Sequence, residues 1–500
     1  MKSSQNCPSI SELLQTGEAK LSQGSYELAI QLFTQALEQD TRSLDALRGR
    51  GRAYCHCDDF EAAVRDFSSA VELHPTSRES YIELATVLKD NLSRTEDAVE
   101  VYSKLLNAFP QDADCLYNRA HCLHDLGDLK GAIADFTSAI KIKPTEYRFY
   151  TGRGSAALTL GDYSAAITDF DKAIDLESAN PVAFFGRGSA HFGSFEFHSA
   201  LKDFTMSIEI SPHFGRAYLA RAETYGCLEQ WDNARADYTK AIANGIKNAD
   251  VYKNRGECSY ILGDVDSYSE DLNLALHESP ESIELLLMRA EYNDLYGEDG
   301  AESSLNDYLE VLRIRPNHQE SLQFAAESLL ELDRSTEALQ YCNQLTAMEP
   351  TKGSWFELRG RAYAAIGDAA SAIADFDTAI LLSPNDHSAY AERGKAYFEL
   401  GQARMAVKDL TQAIELDEDS SHWKRRERGR AFAVLNNHKR AIEDFSELLT
   451  KVPNCADAYF WRGYSHYRLG DADKAERDRA KAIELDSSLS SRQYESMPVK

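Results

Sequence analysis

The sequence contains no long apolar run and is poor in positive charge. Its 500 residues include 54 lysines and arginines against 81 aspartates and glutamates, giving a formal net charge of -27. No window approaches the roughly 18 uninterrupted apolar residues of a membrane span, and the start, MKSSQNCPSISELL, lacks the apolar core of a signal peptide. We therefore expect a soluble chain with no membrane insertion.

The charge balance and the cysteines limit the possible partners and compartments. Binding of nucleic acid is not expected, because a phosphate backbone requires a cationic surface. The nine cysteines are scattered, odd in number and without framework spacing, which is typical of reduced thiols in a cytosol. A cytoplasmic location follows as the expectation.

Catalytic and metal-binding motifs are also missing. The sequence has no phosphate loop, no H-E-x-x-H and no nucleophile elbow. Cys55, His56 and Cys57 carry metal-capable atoms, but C-x-C on a helix does not bring both sulfurs to one face. We expect no enzyme, no catalytic residue, no metal and no cofactor.

What the sequence does have is a period close to 34 residues. A small residue in a helical pattern recurs in steps that are nearly all of this length, and only the third, ninth and thirteenth units are stretched. The series has fourteen members: Ala29, Ala63, Ala98, Ala132, Ala166, Ala200, Ala234, Tyr268, Ser304, Ala338, Ala372, Ala406, Ala441 and Ala475.

Each unit repeats further features around this residue. A glycine or alanine usually stands twelve positions earlier, as at Gly51 and Gly188, and a large residue four positions later, as at Phe67 and Phe204. This spacing places the side chains on one face of a helix. A glycine often breaks the unit in the middle, and a proline such as Pro144 often closes it, because proline cannot continue a helix.

This pattern resembles the tetratricopeptide repeat (TPR), a helix-turn-helix unit, over about residues 10 to 489. The resemblance implies an all-α fold, a right-handed superhelical solenoid of antiparallel helix pairs. It divides the chain into an N-terminal tail (1–9), repeats 1–8 (10–282), irregular repeats 9–10 that could form a joint (283–352), repeats 11–14 (353–489), and a C-terminal tail or cap (490–500).

Arginine and aspartate occur together within the repeats. Eleven units place arginine just before the small residue of the first helix and aspartate just before the large residue of the second, and the other three lack both. We predict a charge-assisted, structural contact in each pair; the alternative is common descent of the units without contact. The pairs are Arg50 with Asp66, Arg119 with Asp135, Arg153 with Asp169, Arg187 with Asp203, Arg221 with Asp237, Arg255 with Asp271, Arg289 with Asp307, Arg359 with Asp375, Arg393 with Asp409, Arg428 with Asp444 and Arg462 with Asp478.

The family resemblance also implies that the first helices line a concave groove. Its mixed polar and aromatic side chains suit one or more extended peptides or protein partners. The candidate binding residues are Arg52, His56, Tyr117, His121, Phe185, Ser189, Lys253 and Glu257.

Three functions compete for such an array. The leading hypothesis is an adaptor or scaffold that binds partner proteins in the groove, and the alternative is a self-assembling subunit of a coat-like or ciliary transport complex. A co-chaperone is less favoured, since Ile82 and Thr86 stand where a chaperone-tail clamp needs lysine and asparagine. The basic run from Lys424 to Arg430 is interpreted as a solvated helix start.

Overall fold

The chain folds into consecutive pairs of antiparallel α-helices. The computed structural model describes residues 8–297, 299–417, 421–492 and 494. Within these residues 28 α-helices form fourteen pairs, here called repeats 1 to 14, and there is no strand. The predicted all-α class and the helix-pair architecture are confirmed.

Two compact units divide the chain at Tyr268 and Ser269. The first contains α1 (Ile10–Ser22), α2 (Tyr26–Gln39), α3 (Leu44–His56), α4 (Phe60–Leu73), α5 (Arg78–Thr86), α6 (Thr95–Ala108), α7 (Ala113–Asp125), α8 (Leu129–Ile142), α9 (Tyr147–Leu160), α10 (Tyr163–Leu176), α11 (Pro181–Gly193), α12 (Phe197–Ile210), α13 (Gly215–Cys227), α14 (Trp231–Ala243) and α15 (Ala249–Ile261). The division falls within α16 (Val265–Glu278).

The second unit continues with α17 (Ile283–Tyr296), α18 (Gly300–Ile314), α19 (Gln319–Glu331), α20 (Ser335–Met348), α21 (Gly353–Ala365), α22 (Ala369–Leu382), α23 (His387–Glu399), α24 (Ala403–Leu416), α25 (His422–Val434), α26 (His438–Lys451), α27 (Ala456–Arg468) and α28 (Ala472–Leu485). The joint predicted over residues 283–352 remains a prediction.

Local signals set the helix ends within each repeat. Asp162 caps α10, its side chain accepting a hydrogen bond from the Ala165 backbone N–H. Gly161 ends α9 in the left-handed conformation (φ 84°), which glycine adopts without steric cost. The turn between the two helices of a repeat is therefore encoded by adjacent residues.

The core consists of aromatic rings packed against small residues. The ring of Phe33 is fully buried and lies so close to Gly17 of its own repeat that a Cβ there would be 2.8 Å from Cε1. Gly49, on the first helix of the next repeat, contacts the same ring. One phenylalanine thus joins two repeats, which explains why both positions favour small residues.

The stretched third repeat absorbs its additional residue within the first helix. There α5 continues into a five-residue π-helix, Val87–Asn91. A π-turn accommodates one more residue per turn than an α-helix. The insertion therefore leaves the following helix, α6, in the normal position of the repeat.

The predicted tails are only partly described. Residues 1–7 and 495–500 lie outside the described part, whereas Ser9 caps α1. After α28 a 3-10 helix covers Ser487–Ser491, and Tyr494 is buried against the last repeat. The described end of the segment predicted as a tail or cap therefore packs on repeat 14.

The interpretation of the basic run as solvated is wrong at its start. Lys424 is 1% exposed, and its Nζ lies 2.9 Å from an Asp417 carboxylate oxygen. Arg425 is also buried, with Nη2 2.9 Å from Glu447. Local acidic partners allow these cations to lie inside the repeat rather than in water.

None of the described helices is both long enough and apolar enough to cross a bilayer.

Candidate partner-binding groove

The predicted groove residues lie on the first helices of repeats 2, 4, 6 and 8, all in the first unit. On each helix the two residues are four positions apart, so they share one face. We call this the first-helix face, formed by Arg52 and His56 on α3, Tyr117 and His121 on α7, Phe185 and Ser189 on α11, and Lys253 and Glu257 on α15.

Arg52 links the first helices of three successive repeats. Its Nη2 lies 2.6 Å from Glu18 of α1, and its Nε lies 3.8 Å from Glu83 of α5. Arg48, one turn earlier, pairs with the same Glu83 at 2.8 Å. These two carboxylates were not predicted, because they lie about one repeat away in sequence and have no periodic signature.

His56 is at the edge of this face. Its ring stacks on Tyr26 of α2, with centroids 4.5 Å apart and an interplanar angle of 6°. The stacking partner belongs to a second helix. His56 is therefore positioned by a ring contact with the preceding repeat, while the residue remains exposed.

Tyr117 and His121 belong to an aromatic cluster in repeats 4 and 5. The ring centroid of Tyr117 lies 4.5 Å from His121 and 5.4 Å from Phe149. His121 in turn meets Phe136 edge to face at 5.3 Å. The Arg148 guanidinium carbon lies 5.3 Å from the Tyr117 centroid, a cation–π geometry. The half-buried cluster combines apolar rings with one exposed cation.

The imidazole of His121 is incompletely satisfied. Its Nε2 is buried and has no hydrogen-bond partner among the described residues. Burial lowers the pKa of His121, and the nearby Lys89 ammonium lowers it further. The neutral ring is favoured in the folded chain, since a charge here would lack both water and a partner.

Phe185 forms a second aromatic site in repeats 6 and 7. Its ring lies 5.8 Å from Phe204 and 5.2 Å from Phe214. The Ser189 hydroxyl donates to the Phe185 carbonyl at 2.9 Å. The apolar ring is thus the distinctive group here, whereas the Ser189 proton is used within its own helix.

Carboxylates mark the end of the first-helix face in this unit. Lys253 is half-buried and Glu257 is exposed, and both have interactions within the chain. Glu223 holds the position of Glu257 in the preceding repeat, and partial desolvation of its carboxyl group raises its pKa. The face therefore changes from aromatic to acidic between repeats 6 and 8.

In ten of the eleven predicted pairs both residues belong to the same unit. In these pairs the structure places the arginine in contact with its aspartate. In these ten pairs Nε and Nη2 donate to the two carboxylate oxygens at 2.6–3.0 Å. All ten aspartates are buried. Arg255 and Asp271 are divided between the two units.

All eleven arginines, Arg255 included, make a third contact that the sequence interpretation missed. Each Nη1 donates to a short polar side chain on the second helix of the preceding repeat, at 2.5–3.5 Å. The acceptors are Thr34, Ser103, Thr137, Asp171, Thr205, Thr239, Asn273, Asn343, Asp377, Thr411 and Ser446. A signal was present, since this residue directly follows the large residue of that helix.

Within the described residues no three His, Cys, Asp or Glu side chains are placed to hold an ion. Neither this geometry nor the first-helix face indicates a cofactor-binding residue.

Models of the tetratricopeptide repeat match residues 20–88, 113–146, 147–180, 387–420 and 426–488, and a TPR repeat model matches 360–401. The chain belongs to the tetratricopeptide-repeat family. Proteins of this family act in general as scaffolds for protein–protein interaction.

Solved structures with a similar fold are distant in sequence. A TPR protein from Parabacteroides merdae ATCC 43184 is 19% identical, with 50% of this chain and 98% of that chain covered and a TM-score of 0.41. The Cut9-Hcn1 hetero-tetramer of the APC/C is 14% identical, with 96% and 94% covered and a TM-score of 0.39. PilW, a type IV pilus biogenesis factor, is 20% identical, with 42% and 97% covered and a TM-score of 0.39. No curated protein matches the sequence.

Proposed function

We propose that this TPR protein is an adaptor, without catalytic activity, that binds an extended segment of a partner protein on the first-helix face of its first unit. The aromatic cluster around Tyr117 carries the proposal. Its rings lie beside the Arg148 cation, so the site offers both apolar contact and a charged group. Such anchors dominate the binding energy of many interfaces.

The order of side chains along this face supports an extended ligand. Arg52 lies in repeat 2, the Tyr117 cluster in repeat 4, Phe185 in repeat 6 and Glu257 in repeat 8. A ligand that reaches several of these groups must cross several first helices. An extended peptide does so while its backbone remains free to hydrogen-bond.

The test is affinity capture with the tagged full-length chain from its native cell extract. The groove variant carries Tyr117→Ala, Phe185→Ala and Lys253→Glu. A matched control carries Leu28→Ala, Phe195→Ala and Lys141→Glu, which change exposed residues outside the first-helix face. Circular dichroism shows whether both variants keep the helical content of the unchanged chain.

Specific proteins captured by the unchanged chain and the control, but lost from the folded groove variant, would support the proposal. Partners retained by the groove variant would contradict binding on this face. Recovery of the chain alone, with a concentration-dependent increase in mass by light scattering, would instead indicate the self-assembling subunit.

A further inference from the structure

Repeats 11 to 13 present three cations at one position of their first helices. Arg361 on α21, Lys395 on α23 and Arg430 on α25 each directly follow the small glycine of the helix. Arg52 and Glu257 hold the same position in the first unit. We call Arg361, Lys395 and Arg430 the cation row.

Within the second unit the cation row follows a pair of acids. The equivalent residues are Glu291 in repeat 9 and Glu327 in repeat 10. The charge of this position therefore changes sign between repeats 10 and 11. This change is a property of the face and not of overall composition, because the chain as a whole carries a net charge of -27.

Arg361 and Lys395 lie beside one cavity of about 390 Å³. Both residues are exposed, and among the described residues neither forms an ion pair. Leu330 and Ala396 contribute apolar lining, and Glu392 and Glu399 contribute carboxylates. The cavity thus combines an apolar surface with two cations that have no carboxylate partner within 4.0 Å.

Arg430 continues the row into repeat 13. Its guanidinium carbon lies 5.1 Å from the ring centroid of Phe398, which is one helical turn beyond Lys395 on α23, and 5.6 Å from that of Trp461. Arg430 and Arg426 share the single carboxylate of Glu427, each at 2.9 Å. The Asp457 carboxyl also lies close to both guanidinium groups, so Arg430 is the cation of the row with acidic neighbours of its own.

We propose that the cation row binds an extended acidic peptide segment of a partner protein, with carboxylates against Arg361, Lys395 and Arg430 and an apolar side chain in the cavity. The inference rests on the proposed function and names the partner chemistry for the second unit. Arg361 and Lys395 lose little on meeting a carboxylate, because no existing ion pair has to be broken there, whereas Arg430 has to share its guanidinium with Glu427.

The net negative charge of the whole chain makes the binding of an acidic peptide depend on the cation row. At long range it repels an acidic peptide, so binding requires the local row and short-range contacts. The spacing sets a further requirement. Packed helices lie about 10 Å apart, and an extended chain advances about 3.3 Å per residue. Acidic side chains at every third residue therefore match successive repeats.

The experiment uses the full chain and short fluorescein-labelled peptides followed by fluorescence anisotropy. The acidic probe has glutamate at every third position with leucine and serine between. Two matched probes replace glutamate by glutamine or by lysine. All three are amidated at the C-terminus, so that no terminal carboxylate contributes.

The row variant carries Arg361→Glu with Lys395→Glu. Its control carries Arg404→Glu with Lys408→Glu on α24, the second helix of repeat 12, and makes the same change in net charge. Both control residues are exposed and form no ion pair within the described residues. Circular dichroism compares the folded content of the two variants.

We expect the unchanged chain and the control to bind the acidic peptide at least about fivefold more tightly than the glutamine peptide, since two exposed ion pairs contribute about this factor. The row variant should lose the preference, and added salt should weaken it. Equal binding of the acidic and glutamine peptides, stronger binding of the lysine peptide, or equal loss in row variant and control would overturn the proposal.

Failure here is separable from failure of the proposed function. If partner capture depends on Tyr117 and Phe185 but the acidic peptide shows no preference, the cation row is excluded and the adaptor function stands. If the peptide binds the row but no partner depends on the first unit, the location of the proposed function is wrong.

Discussion

The ring of Tyr494 packs against Gly463 of repeat 14 and takes the place that a second-helix aromatic holds in other repeats. Its hydroxyl lies where a Cβ on residue 463 would have to be. Arg479 stands at the aromatic position of α28, and its guanidinium carbon lies 5.7 Å from the Tyr494 ring centroid. The chain closes its last repeat with a residue from beyond the final helix.

Tyr494→Ala should destabilise the last repeat by about 3 kcal/mol, because it removes a buried aromatic and leaves a cavity beside Gly463. Hydrogen exchange of α27 and α28 measures the effect. Tyr494→Phe should keep the packing and leave stability equal or higher by up to about 1 kcal/mol, since the hydroxyl is buried without a partner among the described residues. A loss as large as that of the alanine variant would contradict this account.

Arg187→Ala should cost about 2 kcal/mol in urea unfolding followed by circular dichroism. The change leaves the carboxylate of Asp203, which is 3% exposed, without its two hydrogen bonds. In combination with Asp203→Ala the loss should fall short of the sum of the single losses by about 1–2 kcal/mol. Additive losses would show that the contact is not energetically coupled.

A control for this cycle is Arg313→Ala on α18. Arg313 is more than half exposed and pairs with Glu281 and Glu310. Exposed pairs contribute about 0–1 kcal/mol. The control should therefore change stability much less than Arg187→Ala, although both remove an arginine with two acidic neighbours.

The period and the side-chain pattern were sufficient to predict the helix pairs, because each helix repeats its own caps, small residues and buried face. The occurrence of arginine and aspartate in the same repeats also predicted the pairs that are in contact in the structure. Tyr494 could not be predicted in the same way. It lies outside the period, and its contact with Gly463 depends on how the chain turns after α28.

Gly360→Ala should destabilise repeat 11 by about 1–3 kcal/mol. A Cβ at this position would lie 2.6 Å from Cε1 of Phe376. Adding Phe376→Leu should recover part of the loss by making room. Thermal unfolding followed by circular dichroism compares the variants.

Gly226→Ala is the matched control for this substitution. The nearest side-chain atom to its added Cβ, in Trp231, would be 3.8 Å away, which is an ordinary contact. Alanine there should be neutral or stabilise α13 by up to about 1 kcal/mol. Equal destabilisation of both variants would show that close packing on Phe376 is not the cause.

His121 should make stability depend on pH. Its pKa is lowered in the folded chain, so below its ordinary value of about 6.5 the unfolded chain binds more protons. Stability is therefore present above pH 6.5 and is lost as the pH falls toward the folded pKa. The free energy of unfolding of His121→Gln, measured by urea titration from about pH 7.5 to 5.5, should fall less steeply than that of the unchanged chain.

Replacing the exposed His277 by glutamine controls for the removal of a histidine in general. Lys89, Asp125 and His124 also act on the His121 ring, and they are unchanged in both variants. A pH dependence that is the same for His121→Gln and the unchanged chain would contradict the role of the buried imidazole.

In the candidate groove the sequence period predicts which residues share a face, but not every contact that they make. Spacing placed Tyr117 and His121 on one face, and the structure has them in contact. Spacing did not reveal that Arg52 is held by Glu18 and Glu83, because ion pairs between repeats depend on side-chain lengths that do not recur. The cation row was also missed. Its three positive residues are recognised as a row only when the same helix position is compared in successive repeats.

The joint predicted around repeats 9 and 10 should appear as faster hydrogen exchange across residues 265–345 than in repeats 5 and 6. Tyr268 occupies the small position of repeat 8, and repeat 10 has Ala325 and Tyr341 in place of the arginine and aspartate. Repeat 10 thus lacks the arginine that in most repeats joins its own second helix to the second helix of the preceding repeat. Fewer such contacts lower the free energy of local opening.

A gain-of-contact variant makes this last test specific. Ala325→Arg with Tyr341→Asp installs the repeated pair in repeat 10 and should slow the exchange of α19 and α20. Ala325→Arg alone supplies a cation without its carboxylate, and should not slow it. Uniform protection across residues 265–345 in the unchanged chain would contradict the joint, and equal exchange in the two variants would exclude the missing pair as its cause.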